Sequence, residues 1–246
     1  VLSVDYDYVS DNMLAALCNV GLIRFIIHVH GIEENHPGTT NSAWANFTQH
    51  NSNCELRLTL IHSYEAVEIL HSDILKPSMP LTHLKAFFCE QLNNAALHIL
   101  SSWYAQRLRS LWWVDSLGSA AAQSLVQTGV GEPDPLVMAA WRCKHLEEIV
   151  LLGYKYYDDN LIAIARLRGH NLKTLQIAAQ DILYEYMDND ALFYGVRALI
   201  FEVSEELGTM WSPLQDSQLH DVILNPTGGD SDEFILPVVL RDEEEA

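Results

Sequence analysis

The sequence of 246 residues predicts an α/β fold built from stacked strand–helix repeats. Three observations lead to this prediction: a recurring apolar–x–x–apolar–x–apolar pattern, separations of 23 to 38 residues between its copies, and helix-start signals after the copies. Hydrophobic residues make up 49% of the chain, which is too many for a disordered protein, and the length allows a sizeable core. An ordinary α/β protein with alternating strands and helices is the alternative fold.

The repeated pattern marks the expected strands. Its clear copies end at Ile27, Cys89, Trp113, Leu151, Ile177 and Phe201, and its weaker copies end at Val4 and Leu60. The last two apolar positions of a copy fit a short strand with one buried face. Because leucine-rich repeats are about 20–29 residues long, the spacing predicts a curved leucine-rich-repeat solenoid over residues 1–204.

Helices are expected between the strands, because polar capping residues precede runs of apolar residues at helical spacing. The candidate starts are Ser10, Asn93, Asp158 and Asp188, and a further capped helix is expected around Trp44. A side-chain oxygen of Asp, Asn or Ser can accept a hydrogen bond from a free N–H group at a helix start. The helices would then pack behind the strands.

The remaining residues, 205–246, are predicted to form an irregular C-terminal cap with an acidic tail. Residues 234–240 look like an apolar strand interrupted by Pro237, and residues 242–245 look like a solvated tail. A solenoid needs such a cap, because its last repeat would otherwise expose the core.

The net charge of −19 is concentrated near the C-terminus. Residues 181–246 contain 16 Asp and Glu and only 2 Arg, so they carry −14 of the total. An acidic protein is disfavoured as a binder of nucleic acid or of an anionic membrane surface. The acidic region instead favours a partner with a basic patch.

The four cysteines, Cys18, Cys54, Cys89 and Cys143, are far apart and form no Cys-x-x-Cys pair. This spacing favours reduced thiols in a cytoplasmic or nuclear protein. No secretory leader and no apolar run of about 18 residues is found, so no membrane span is expected. The start at Val1 rather than at Met indicates a fragment or a processed form.

The sequence contains no recognisable catalytic or cofactor-binding motif. A phosphate-binding loop and a nucleophile elbow are missing, and the glycines at 129–131 are followed by Glu-Pro. His28, His30 and His36 lie close together, but a further well-spaced metal ligand is lacking. We therefore expect no catalytic residue, no metal and no cofactor, and we expect residues 116–135 to form a surface loop.

A binding surface is expected on the concave side of the solenoid. The residues between the last two apolar positions of the copies point there: Ser3, Ile26, Thr59, Phe88, Trp112, Val150, Gln176 and Ile200. Exposed apolar rows of this kind mark protein-binding sites. The predicted protein-binding residues are Ile26, His28, Phe88, Glu90, Trp112, Val150 and Tyr154. Two alternatives are that residues 234–240 cover the row and that the register is shifted.

The segment 134–173 carries a family resemblance. Its most specific part runs from Trp141 to Gly169, and the stretches 8–18 and 76–81 fit the same group. The sequence resembles, over roughly residues 1–210, the C-terminal half of F-box proteins of the F-box-only group, whose substrate-binding half consists of degenerate leucine-rich repeats. In these proteins the F-box precedes the repeats, and no F-box is found in these 246 residues.

The resemblance implies the substrate-recognition part of an SCF-type cullin–RING ubiquitin ligase, which performs no chemistry itself. It implies that a Skp adaptor and a cullin scaffold bind through an F-box outside this chain, while the repeats hold a protein substrate. A non-ligase leucine-rich-repeat scaffold for protein interactions is the main alternative. An enzyme with an irregular α/β fold is the third.

Overall fold

A seven-stranded parallel sheet forms the centre of the protein. The computed structural model describes residues 1–117, 133–184 and 189–244. In these ranges the strands are β1 (Leu2–Asp5), β2 (Arg24–Val29), β3 (Glu55–Ile61), β4 (Leu81–Phe87), β5 (Ser110–Val114), β6 (Glu148–Leu152), β7 (Tyr156–Tyr157), β8 (Thr174–Ile177) and β9 (Ile182–Leu183). The main sheet has the order β1-β2-β3-β4-β5-β6-β8, and β7 pairs with β9 in a small second sheet. The strands of the main sheet thus follow one another in chain order.

Helices connect most of the neighbouring strands. In the described ranges they are α1 (Asp11–Leu17), α2 (Asn41–His50), α3 (Tyr64–Glu68), α4 (Asn94–Trp103), α5 (Pro135–Arg142), α6 (Asp158–Arg168), α7 (Asn189–Leu207), α8 (Asp221–Leu224) and α9 (Ser231–Glu244). Ser10 caps α1 by accepting from the Met13 N–H, and Asn93 caps α4 by accepting from the Ala96 N–H. The alternation of strands and helices confirms the predicted α/β class. None of these helices is both long and apolar enough to cross a bilayer.

The main core lies between the sheet and the helices. Seven aliphatic side chains stand side by side across the sheet on this face: Val4, Ile27, Leu58, Leu84, Leu111, Ile149 and Leu175. Apolar residues of helices α1 to α7 pack on the same cluster, among them Trp44 and Leu100. All four cysteines are buried as free thiols.

A second, smaller core lies on the opposite face, which we call the second face. It joins Trp112, Val114 and Val150 of the sheet to Val222 and Ile235 of the C-terminal region. The C-terminal region therefore packs across the sheet and buries its other side.

The register of β4 differs from the prediction. Leu84 and Ala86 align with Leu111 and Trp113 of β5, so the helix-facing pair is 84/86 rather than 87/89. The run Ala-Phe-Phe-Cys is apolar at every position, and alternation alone therefore could not fix which face each side chain takes. As a result Lys85, and not Phe88, lies in the row beside Trp112.

The last predicted repeat is wrong, because residues 196–201 belong to α7. Leu199, Val203 and Leu207 are buried at intervals of four residues, which is the spacing of a helix face. Ile200 therefore is not part of the sheet. The predicted domain boundary at residue 204 also falls inside α7, and the division into two domains stays a prediction.

The predicted strand 234–240 is also wrong, because these residues lie in α9 and Pro237 is inside the helix. Ile235 and Asp242, two helical turns apart, are the residues of α9 with buried side chains. Most of the predicted loop 116–135, the helix start at Asp188 and Glu245 lie outside the described residues.

Candidate protein-binding face

The second face of the sheet carries a mixed polar and apolar row at the position predicted for binding. Its members are Asp5, His28, Thr59, Lys85, Trp112, Val150 and Gln176, which pair in sequence across the seven strands. Ile26 lies in the adjacent row, because it pairs with Arg57 rather than with Thr59. The register thus places a charged residue at the centre of the face.

Two cations on this face, Lys85 and Arg57, hold the carboxylate of Asp242 in α9, and a third, Arg24, binds the backbone of the same residue. The Lys85 Nζ donates to both oxygens of Asp242, at 2.8 Å and 2.6 Å, and the Arg57 Nη1 donates to Asp242 Oδ1 at 2.7 Å. Arg57 and Arg24 also donate to the backbone carbonyl of Asp242, at 3.2 Å and 3.1 Å. The last turn of α9 is therefore fixed through both the side chain and the backbone carbonyl of Asp242.

This group of charges is shielded from water. Lys85 is 1% exposed and Asp242 is 3% exposed. Burial lowers the pKa of Lys85, and the neighbouring Asp242 opposes that shift. Because a buried charge is costly without a partner, each side of this ion pair depends strongly on the other.

Trp112 connects the charged part of the face to the apolar part. Its ring lies under the Lys85 ammonium, 5.1 Å from the ring centroid, and under the guanidinium of Arg241 at 5.6 Å. Its indole N–H donates to Glu148 at 3.1 Å. Cations over an aromatic face are attracted by its negative potential, so α9 contacts Trp112 through Arg241 as well as through apolar packing.

The apolar part of the face receives the first turns of α9. The Phe234 ring packs edge-on against Phe87 and Phe88, with centroids 6.0 Å and 6.1 Å apart. Val238 and Val239 pack on the same cluster. The helix therefore presents apolar residues first and a carboxylate last.

Two strained turns, after β3 and after β4, border the face at the carboxyl ends of the strands. His62, Phe88 and Glu90 have positive φ angles of 51°, 52° and 56°, which are uncommon for residues other than glycine. The His62 ring stacks on Phe88 and hydrogen-bonds to Ser231, at the start of α9. The turns and the helix therefore contact each other directly.

Asp115 holds the turn after β4 in place. Its Oδ2 accepts from the Glu90 N–H at 2.7 Å and from the Tyr154 hydroxyl at 3.1 Å. Burial raises the pKa of Asp115, while these hydrogen bonds favour its ionised form. Asp181 has the equivalent role at a neighbouring turn of the sheet, because it accepts from the Gly153 N–H at 2.9 Å.

Comparison with known sequences gives matches to one protein in two species, and no family model matches. The chain is 34% identical to F-box only protein 33 of the mouse over 159 residues and 32% identical to the human protein of that name over 157 residues. The matches cover 62% of this chain. The chain is similar to F-box only protein 33. This similarity confirms the resemblance to the F-box-only group, and the chain spans 27% and 28% of the length of the two relatives.

Five of the seven predicted binding residues of this chain are buried. They are Ile26, Phe88, Trp112, Val150 and Tyr154. The other two, His28 and Glu90, are partly exposed and exposed, respectively. Partial burial lowers the pKa of His28. Trp112 and Val150 lie under the C-terminal region, whereas Phe88, Glu90 and Tyr154 meet at the strained turn around Asp115. The binding role of these residues stays a prediction.

The sequence reasoning missed the residues that organise this face, namely Arg57, Lys85 and Asp242. The signal for the first two was a basic residue inside an otherwise apolar strand, at Leu-Arg-Leu and Leu-Lys-Ala. Asp242 was assigned to a solvated tail, which is wrong because it is buried. Its neighbours Glu243 and Glu244 gave no sequence signal that distinguished it from an acidic tail.

Proposed function

We propose that this chain is the substrate-recognition part of an SCF-type cullin–RING ubiquitin ligase. The observation that carries the proposal is the similarity to F-box only protein 33 over 159 residues. A receptor of this kind performs no chemistry. It raises the local concentration of a substrate lysine beside the ubiquitin-loaded partner, which accelerates transfer by proximity.

The scaffold of the receptor would be a short leucine-rich-repeat solenoid. In support, the parallel strands follow chain order and their aliphatic residues align across the sheet. Asp115 and Asp181 support it as well, since each joins its own turn to the turn of the preceding strand through a backbone N–H group. Such an arrangement offers a broad sheet face for a protein substrate.

The partners follow from this role. A Skp adaptor, and through it a cullin, would bind an F-box outside residues 1–246, and a protein substrate would bind the second face. The predicted contacts are Ile26, His28, Phe88, Glu90, Trp112, Val150 and Tyr154, of which His28 and Glu90 have side chains that reach the surface. A basic substrate is less favoured than the composition suggests, because Asp242 already pairs with Arg57 and Lys85.

Co-purification of the Skp adaptor with the full-length protein tests the proposal. We expect the full-length protein to bind the adaptor and cullin, and we expect a version without the sequence before Val1 to lose both. The full-length His28→Gln variant is the matched control, because its change lies at a partly exposed position of the second face and should leave adaptor binding intact.

A full-length protein that binds no adaptor would exclude the ligase role. The similarity would then be explained by a non-ligase scaffold that uses the same face for protein interactions. Adaptor binding that survives removal of the sequence before Val1 would contradict the proposed division between an adaptor-binding region and this chain.

A further inference from the structure

Helix α9 fills the second face as a separate ligand would. Asp242 is its polar anchor in the centre of the face, and among the described residues the Lys85 ammonium donates hydrogen bonds to Asp242 alone. Ile235 is the buried apolar contact of the helix, and the partly buried Phe234, Val238 and Val239 pack around it ahead of that carboxylate. The face thus recognises a simple pattern: apolar residues on one side of a helix, followed by an acidic residue about two turns later.

The second face is complementary to a carboxylate side chain, because the buried charges of its strands are basic. Arg24, Arg57 and Lys85 surround the Asp242 site, and Glu55 at the edge approaches the two arginines at 3.7 Å and 3.8 Å. Removal of α9 would leave Lys85 without the carboxylate that it binds. The chain has a net charge of −19, so an acidic partner gains nothing from the long-range field and has to be recognised by these buried cations.

Helix α9 also has two features that favour its detachment from the sheet. It joins the rest of the protein through an exposed segment, residues 225–230. Pro237 lies inside the helix, where a proline removes one backbone hydrogen bond and crowds the preceding turn. A helix with these features opens at a lower cost than a central strand of the sheet.

We propose that the second face is a docking site for an acidic amphipathic helix of a protein partner, and that α9 occupies this site until the partner displaces it. The partner helix carries apolar residues that replace Ile235 and its apolar neighbours in α9, and a carboxylate that replaces Asp242 between Arg57 and Lys85. That this partner is a ligase substrate rests on the proposed function, whereas the exchange of helices does not.

Two variants of the full 246-residue chain test the exchange. Asp242→Asn removes the buried charge, and the matched control Glu244→Gln removes a charge from an exposed residue of the same helix. The readouts are amide hydrogen exchange in residues 231–244 and binding of a fluorescent peptide with the sequence of those residues. We expect exchange in Asp242→Asn to be at least about tenfold faster, and peptide binding to be at least about tenfold tighter, than in the wild type or the control.

The same peptide with Asn in place of Asp242 should lose this binding. Should Asp242→Asn fail to fold, Phe234→Ala loosens the helix without unpairing a charge and takes its place. The proposal is overturned if the helix loosens and the peptide does not bind, or if both peptides bind equally well. Neither measurement involves the Skp adaptor, so this inference and the ligase role can fail separately.

Discussion

At the scale of single residues, Gly153 lies where the fold leaves no room for a side chain. Its φ angle is +82°, and a Cβ atom there would lie 2.5 Å from the backbone oxygen of Asp115. Gly208 has a similar φ of +69° but nothing near its Cβ position. Alanine substitutions at the two glycines therefore separate the free-energy cost of a positive φ angle from the cost of a steric clash.

We expect Gly153→Ala to lower the free energy of unfolding by about 2–4 kcal/mol, because it adds a clash with backbone to the strain of a positive φ. Gly208→Ala should cost only about 1 kcal/mol. Urea denaturation of both variants measures the difference. Equal losses would mean that the turns after β5 and β6 are not packed against each other as described.

His83 makes the stability of the protein depend on pH. It lies on the second face, where burial and the charges of Arg57 and Lys85 lower its pKa from 6.5 to about 2. The unfolded chain therefore binds a proton on His83 near pH 6.5, whereas the folded chain does not. The stability that this histidine contributes is present above pH 6.5 and is lost as the pH falls towards 2.

We expect the wild type to lose roughly 1 kcal/mol more per pH unit than His83→Asn between pH 6 and pH 4. Urea unfolding at several pH values in this range gives the two slopes. The other acid-titrating groups are common to both proteins, so the difference isolates His83. Parallel slopes would show that water reaches His83 in the folded state.

At the scale of elements, α7 shows how a helix can imitate a repeat strand. Val196, Leu199 and Phe201 match the apolar pattern of the strands, yet Leu199 is 2% exposed and Phe201 is 67% exposed. A strand would bury 199 and 201 on the same face, because side chains alternate with period two. A helix places these two residues about 200° apart.

Alanine substitution distinguishes the two conformations. We expect Leu199→Ala to destabilise the protein by about 2–4 kcal/mol through a cavity in the core. Phe201→Ala should change stability by less than about 0.5 kcal/mol. Thermal and urea unfolding of the two variants provide the comparison, and a large loss for Phe201→Ala would favour the strand.

At the scale of the whole molecule, the sheet separates a large core from a small one. One face of the sheet is buried by residues from seven of the described helices, whereas the second face is closed by the C-terminal region. The small core should open more easily than the large one, because its helix α9 is joined to the rest of the protein through the exposed residues 225–230.

Native-state hydrogen exchange measures this difference in the wild type. We expect amides of α9 to exchange through an opening that costs less free energy than the opening of β4, whose amides should require global unfolding. The physical reason is that α9 contacts the sheet along one side and contains Pro237. If α9 and β4 exchanged with the same free energy, the protein would be one cooperative unit.

The α/β class, the helix starts and most strand positions could be predicted from the sequence, because they depend on local patterns. Strands alternate apolar residues along one face, and Ser10 and Asn93 cap helices next to them in the chain. The family resemblance could also be read from the sequence, since Trp141–Gly169 is more specific than any repeat pattern. These signals require no contact between distant residues.

Only the tertiary structure decided which residues form the candidate site. Asp242 lies 157 residues after Lys85 and 185 residues after Arg57, and its sequence context is that of a solvated acidic tail. Whether such a carboxylate is solvated or buried depends on a long-range ion pair that is favourable only when the partners lie in register on a sheet face. The same packing buries Trp112 and Val150 beneath the C-terminal region, so of the two interpretations that the sequence left open, an exposed row and a row covered by residues 234–240, the structure shows the covered one.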